Sequence, residues 1–262
     1  MDREMFRKAL SNALPYADRP KRISGGSSRI RRKNTDHKRS RTTIFAFRYA
    51  DGIMACGDRK TSGWGYDVIS LGAVKVSPVG PRSVLSFSGS VGSGQMLIHQ
   101  IQEENRSFFE RTGFPLSIPG QARFLANFCR EYRESSYLDL GVDIILSGRD
   151  WDETFYIYSI EEDGSALAFK NYYVSGSGTY NARTILDSQW EPKLSFKDAL
   201  HLAMEAQYQA GLRDSGTSHL AIATPNVVII TEKEFREVDS AKVEKARQKV
   251  LRGKKEVINE RE

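Results

Sequence analysis

Cysteine is scarce in this chain: 262 residues contain two, Cys56 and Cys129. Neither has another Cys or a His at metal-ligand spacing, so no metal site is expected from them, and they read as small buried hydrophobes in a reducing compartment. The chain also lacks any window of about eighteen apolar residues, which leaves no candidate for a membrane-spanning helix. The opening Met-Asp-Arg-Glu-Met-Phe-Arg-Lys is charged where a secretory signal would be apolar, so the expected location is cytoplasmic. There is no internal repeat. What remains is enough chain for one sizeable α/β core, or for two small ones.

The net charge of +6 is unevenly spread. Residues 1–41 carry 13 Lys and Arg against 4 Asp and Glu, a net of +9, so the other 26 basic and 29 acidic side chains leave the remainder at −3. A basic arm of this kind invites a nucleic-acid or acidic-surface reading. The stretch from Arg29 to Arg41 has no aromatic residue to stack on a base, which weakens that reading against a solvated, extended leader. Within the leader, residues 3–14 could form a short amphipathic helix with Met5, Phe6, Leu10 and Leu14 near one face. Pro20 to Arg41 reads as linker.

Order begins at Thr42. Strands are expected at Thr43–Tyr49 and Ile53–Cys56, joined across an Asp51-Gly52 turn, and then near Ala73–Val76 and Ser83–Phe87. Helical spacing follows over Gly94–Phe109 and Gln121–Tyr132, where Phe124, Leu125, Phe128, Cys129 and Tyr132 keep the 3.6 period. Further strands are expected at Val142–Leu146, Thr154–Ile160 and Ala166–Lys170, with Asp163-Gly164 as another turn. Helices follow at Tyr180–Asp187 and Ser195–Gly211, then a hairpin of Leu220–Ala223 with Val227–Thr231, and a charged helix near Ala241–Leu251. Strands, two helices, strands, two helices and strands suggest an α/β (α+β) fold, two antiparallel sheets between helix layers. The domain boundary is placed at Thr42, with a basic propeptide-like segment at 1–41 and one globular domain with a charged tail at 42–262.

A threonine heading a strand is ordinary, since β-branched residues favour strands. It becomes a nucleophile if the chain is cut before it, because the new α-amine, with a pKa of about 8, then sits on the same residue as the hydroxyl whose proton it can take. Such a site also needs a charge to tune the nucleophile and a donor for the oxyanion. Asp58 and Lys75, on neighbouring expected strands, could supply the charge; an isolated pair of this type is more often a surface ion pair worth about 0–1 kcal/mol. Gly89 within Ser88-Gly89-Ser90 could bring an N–H to an oxyanion, or simply turn the chain into a helix.

Thr42 to Lys60 resembles the start of a mature proteasome β subunit of the prokaryotic type, an N-terminal-nucleophile hydrolase. The resemblance continues through residues 42–231, carried by Thr42-Thr43 with Gly57-Asp58-Arg59-Lys60, by Lys75, by Ser88-Gly89-Ser90-Val91-Gly92 with Gln95, by Gly176-Ser177-Gly178, and by Arg213-Asp214-Ser215-Gly216-Thr217. It implies a four-layer αββα sandwich and a threonine endopeptidase whose nucleophile, Thr42, is freed by autocatalytic cleavage of the Arg41-Thr42 bond. It further implies Asp58 and Lys75 as the tuning pair, Gly89 as oxyanion donor, and Ser177, Asp214 and Thr217 as groups that hydrogen-bond around the threonine. Thr61, Phe87 and Val91 match positions that line the pocket for the residue before the scissile bond, although Phe87 reads equally as core. The implied partners are proteasome α subunits and other β subunits in stacked rings, a regulatory ATPase ring and unfolded polypeptide substrates, with no cofactor, metal, membrane or nucleic acid.

The chain departs from the family pattern at two places. Arg41, after Ser40, stands before the threonine where the family usually has glycine, and Ser218-His219 follows Thr217 where the family often has Gly-Gly. Arg41 favours the alternative of an unprocessed, non-catalytic β-type subunit. A nucleic-acid-binding module and a small-molecule amidase are the other competing readings, and an α-type subunit is disfavoured because the chain has a threonine-headed strand.

Overall fold

Two five-stranded antiparallel sheets face each other, and each is built largely from consecutive hairpins. The computed structural model of the chain describes residues 42–62, 68–136 and 140–259. The basic leader and its expected helix over 3–14 lie outside the described residues.

The first sheet has the order β10-β1-β2-β11-β12, formed by Tyr172–Gly176, Thr43–Tyr49, Gly52–Gly57, Asn226–Thr231 and Phe235–Glu237. The second runs β5-β6-β7-β8-β9, formed by Val76–Gly80, Ser83–Gly89, Val142–Arg149, Phe155–Ile160 and Ala166–Phe169. A small two-stranded ladder, β3 (Thr61–Ser62) with β4 (Val68–Ser70), lies between β2 and β5 in sequence. Helices α1 (Val91–Thr112) and α2 (Ile118–Ser136) cover the second sheet, while α3 (Thr179–Gln189), α4 (Phe196–Arg213) and α5 (Ser240–Asn259) lie on the side of the first.

The layers follow from alternation within strands. On β1, Phe45, Phe47 and Tyr49 join Leu186, Ala203, Met204 and Val243 in the core beneath α3, α4 and α5. Ile44 and Ala46, on the other face, meet Ile53, Ala55, Val84, Ile145 and Ile157 between the two sheets. Both faces of β1 and β2 are therefore buried, so these strands read as continuous apolar runs instead of alternating ones. Each fully buried Phe or Ile contributes roughly 1.5–3 kcal/mol, which makes these strands the firmest part of the fold.

Helix ends follow local chemistry. Ser90 caps α1 by accepting from Ser93 N (3.3 Å), and Gly113, at φ 75°, closes it in the left-handed conformation that glycine adopts without strain. Ser195 caps α4 by accepting from Asp198 N at 3.2 Å.

Several sequence expectations need correction. The β1–β2 pairing runs from Ile44↔Gly57 to Tyr49↔Gly52, so the turn is Ala50-Asp51 and Gly52 already belongs to the ladder. Glycine is required there for another reason: a Cβ would sit 2.0 Å from the Ile230 carbonyl oxygen. The strand expected at Ala73–Val76 begins only at Val76, one residue after Lys75, whose carbonyl accepts from Phe87 N at 2.9 Å. Leu220–Ala223 is not a strand: Ile222 N turns back to His219 O (2.9 Å), and Arg247 of α5 occupies the Leu220 and Ala221 carbonyls (2.5 and 2.7 Å). The hairpin partner of β11 is instead β12. β10, absent from the sequence expectation, pairs with β1 from Thr43↔Gly176 to Phe47↔Tyr172.

Candidate active site

Thr42 sits just ahead of β1, fully buried, with its carbonyl accepting from Ser177 N at 2.8 Å. Pairing with β10 thus fixes the head of the strand from one side. Pairing with β2 fixes the other: Asp58, the residue after β2, donates its N–H to Thr43 O (3.2 Å), and its carboxylate Oδ1 accepts from Thr43 N (3.4 Å).

Lys75 reaches this point from the start of β5. Its Nζ donates to Thr42 Oγ1, to Asp58 Oδ1 at 3.0 Å, and to the Lys60 carbonyl. The pair is 1% and 0% exposed, far from the surface ion pair that spacing alone would favour. Burial pulls the Lys75 amine below the ordinary lysine value, while the charge and hydrogen bond of Asp58 act against that fall. Breaking a buried pair strands a charge, at a cost of about 3–5 kcal/mol, so each partner depends on the other.

A second set of groups lies across β1. Thr217 Oγ1 donates to Asp214 Oδ2 at 2.6 Å, and Ser177 Oγ donates to the same oxygen at 2.5 Å. Thr43 Oγ1 lies 2.6 Å from Thr217 Oγ1. Because the Thr217 proton is committed to the carboxylate, Thr43 must be the donor, giving a chain that runs Thr43 to Thr217 to Asp214. Ser177 Oγ also lies 3.3 Å from Thr42 O. Asp214 ends α4, where its N–H bonds Ala210 O at 2.9 Å. Gly178 makes room for the set, since a Cβ there would come within 2.2 Å of Thr43 Oγ1.

Gly89 closes β6 with φ 104°, and a Cβ would fall 2.2 Å from Gly141 O, so the position accepts only glycine. Next to it, Ser88 Oγ donates to Asp143 Oδ2 at 2.9 Å.

The sequence-derived set Thr42, Asp58, Lys75, Ser177, Asp214 and Thr217 is thus drawn together from five separate stretches of chain. Thr61, Phe87 and Val91 lie outside this hydrogen-bonded cluster. Thr61 is half-buried in β3, Val91 opens α1 half-buried, and Phe87 is 1% exposed with its ring against Gly94, where a Cβ would lie 2.2 Å away. Sequence reasoning missed the Thr43 hydroxyl, the Lys60 carbonyl, and Ser218, whose N and Oγ each donate to Asp58 Oδ2 at 3.0 Å. Only the Thr42-Thr43 doublet carried a signal for the first of these. Among the described residues, no cluster of His, Cys, Asp and Glu could hold a metal ion, and no helix is long and apolar enough to cross a membrane.

Comparison with known proteins shows which family the chain matches. Residues 39–224 match the family described as Proteasome subunit, which is more than half of the chain. The chain is 30% identical over 200 residues to proteasome subunit beta 1 of Pyrococcus furiosus, covering 76% of this chain and 97% of that protein. It is 31% identical over 193 residues to a proteasome subunit beta of Halomicrobium mukohataei, covering 72% and 78% respectively. A proteasome subunit beta of Jonesia denitrificans is 29% identical over 206 residues, covering 76% of this chain and 67% of that protein.

Proposed function

Because the chain belongs to the proteasome β subunit family, we propose that it is a threonine endopeptidase that hydrolyses unfolded polypeptides inside a ring assembly. The observation that carries this reading is the buried Lys75–Asp58 pair placed on the hydroxyl of Thr42. A lone structural ion pair has no need of a hydroxyl at the head of a central strand.

The chemistry follows from the roles available. Once the Arg41-Thr42 bond is cut, the Thr42 amine accepts the Oγ1 proton, and the Lys75 cation stabilises the negative charge that develops on the oxygen. Oγ1 attacks the substrate carbonyl carbon, and the Gly89 N–H donates to the oxyanion. The C–N bond breaks, the amine product leaves with the proton held by the Thr42 ammonium, and an ester on Oγ1 remains. Water, deprotonated by the same amine, hydrolyses the ester and restores the hydroxyl. Asp214, Thr217 and Ser177 hold the amine and the strand head in place, and Thr61, Phe87 and Val91 line the pocket for the residue before the scissile bond.

Release of the leader uses the same groups. Thr42 Oγ1 attacks the Arg41 carbonyl, the acyl group shifts from nitrogen to oxygen, and hydrolysis of the ester frees the new terminus. Before that, Thr42 has no free amine, so the +9 segment keeps the subunit inactive until it is enclosed. The assembly is a stack of rings of this subunit with α-type subunits, served by an ATPase ring in the cytoplasm. The reading needs no cofactor.

Intact mass of the purified assembly is the test. A species beginning at Thr42, lost in Thr42→Ala together with peptide hydrolysis, is the expected result. Arg41, in place of the usual glycine, favours the second reading of an unprocessed structural subunit. A chain that always begins at Met1 in an assembly without Thr42-dependent hydrolysis would establish that reading instead.

A further inference from the structure

We propose that Ser218 is a positioning residue for the threonine chemistry, its hydroxyl locking the Asp58 carboxylate in the rotation that aims Lys75 at Thr42. The inference rests on the peptidase reading above. It starts from how the two carboxylate oxygens divide their partners. Oδ1 faces Lys75 Nζ (3.0 Å) and Thr43 N (3.4 Å). Oδ2 accepts from Lys60 N (2.9 Å), Ser218 N (3.0 Å) and Ser218 Oγ (3.0 Å).

A carboxylate turns about its terminal bond in a broad, shallow well, so its side chain alone does not choose a rotation. Three donors converging on Oδ2 make that choice and leave Oδ1 toward the lysine. Two of them are backbone N–H groups that almost any sequence would present. The third exists only because residue 218 is serine, at a position where the resembled family often has glycine. The extra donor is also well held. Ser218 is 4% exposed, leaving little access for water to replace its hydroxyl. Its loop is docked on α4 at Gly211, where a Cβ would come within 2.4 Å of Ser218 O.

Lys75 has two other acceptors, Thr42 Oγ1 and Lys60 O. With Asp58 free to rotate, the amine would keep its charge but share its time among competing geometries. The chemical step depends on that geometry, whereas substrate binding does not. Loss of the Ser218 hydroxyl therefore lowers kcat and leaves KM alone.

The experiment uses full-length variants purified as the assembled, leader-free particle, assayed with a fluorogenic peptide beside wild type and Thr42→Ala. Ser218→Ala and Ser218→Gly should lose about 10- to 150-fold in kcat, the range for a hydrogen bond to a charged group, with unchanged KM. Ser218→Thr keeps the hydroxyl, and with it the hydrogen bond to Asp58, so it should stay within about twofold of wild type. Ser218→Cys keeps the volume but offers a weak donor, so it reports the bond even where smaller side chains disturb the loop, and it should fall with Ala. Wild-type kcat in Ala, Gly and Cys variants overturns the role of Ser218 while leaving the peptidase reading intact. A wild-type particle no more active than Thr42→Ala overturns both.

Discussion

The two sets of groups that flank Thr42 are built on opposite principles. On one side a lysine and an aspartate are sealed at 1% and 0% exposure. On the other, an exposed Ser177 and a buried Thr217 donate hydrogen bonds to Asp214, which is only half-buried, and a buried Thr43 donates to Thr217. The first set acts through a full charge where little water screens it, so its effect on a developing negative oxygen is large. The second acts through uncharged hydroxyl donors, two of them bonded to the Asp214 carboxylate and none placed on the Thr42 hydroxyl, and so governs placement more than electrostatics. On the peptidase reading, charge is kept dry where it acts on the nucleophile, and exposure is tolerated where groups need only hold position.

Substitutions should separate the two sides by size of effect. Lys75→Ala removes the buried cation and is expected to lower peptide hydrolysis by about a hundred- to a thousandfold, the scale of electrostatic stabilisation lost with a key donor. Activity near wild type there would erase the distinction altogether. Asp58→Asn keeps the shape and leaves Lys75 without its counter-charge, so stability should drop by about 3–5 kcal/mol, read as a lower melting temperature in calorimetry.

Titration sharpens the comparison further. The proposed chemistry needs Lys75 charged, and burial has already pulled its pKa below the usual 10.5. Activity should therefore fall as pH rises through that lowered value, with an alkaline limb in kcat below 10.5. A limb at or above the ordinary lysine value would mean that Lys75 is more solvated than its setting implies. The smallest effect belongs to the hydroxyl side. Thr43→Val is nearly isosteric and deletes one donor to Thr217, so kcat should fall by roughly two- to tenfold. A loss as deep as that of Lys75→Ala, in the same assay, would make the hydroxyl chain an equal partner.

Much of this was legible before any coordinates. The apolar runs at Thr43–Tyr49 and Ile53–Cys56, the helical period through Phe124, Phe128 and Tyr132, and the charged last helix all fall within the observed elements. The resemblance assigned site roles to Asp58, Lys75, Ser177, Asp214 and Thr217, which the fold gathers around Thr42, but not to Thr43, Lys60 or Ser218. β10 escaped notice because Tyr172–Gly176 is five residues long and runs straight into the Gly-Ser-Gly turn, so it has no periodicity to declare itself. Leu220–Ala223 misled because its apolar residues resemble a strand while its carbonyls belong to Arg247, a partner 26 residues or more away. Ser218 was legible only as a departure. Which oxygen of Asp58 it would meet depends on how the loop docks at Gly211, and no local pattern encodes that contact.

The two threonines at the head of β1 are chemically identical, yet they cannot exchange duties. Successive side chains on an extended strand point to opposite faces, so Thr42 meets Lys75 while Thr43 meets Thr217. A cut placed one bond late would still yield a chain that starts with threonine. By sequence it would look mature. Its new terminal hydroxyl would lie on the wrong side of the sheet, bonded to Thr217 and beyond the reach of the lysine. On the proposed cleavage, the strand therefore has a reading frame, and a frame error of a single residue would yield a silent particle rather than a protease of altered taste.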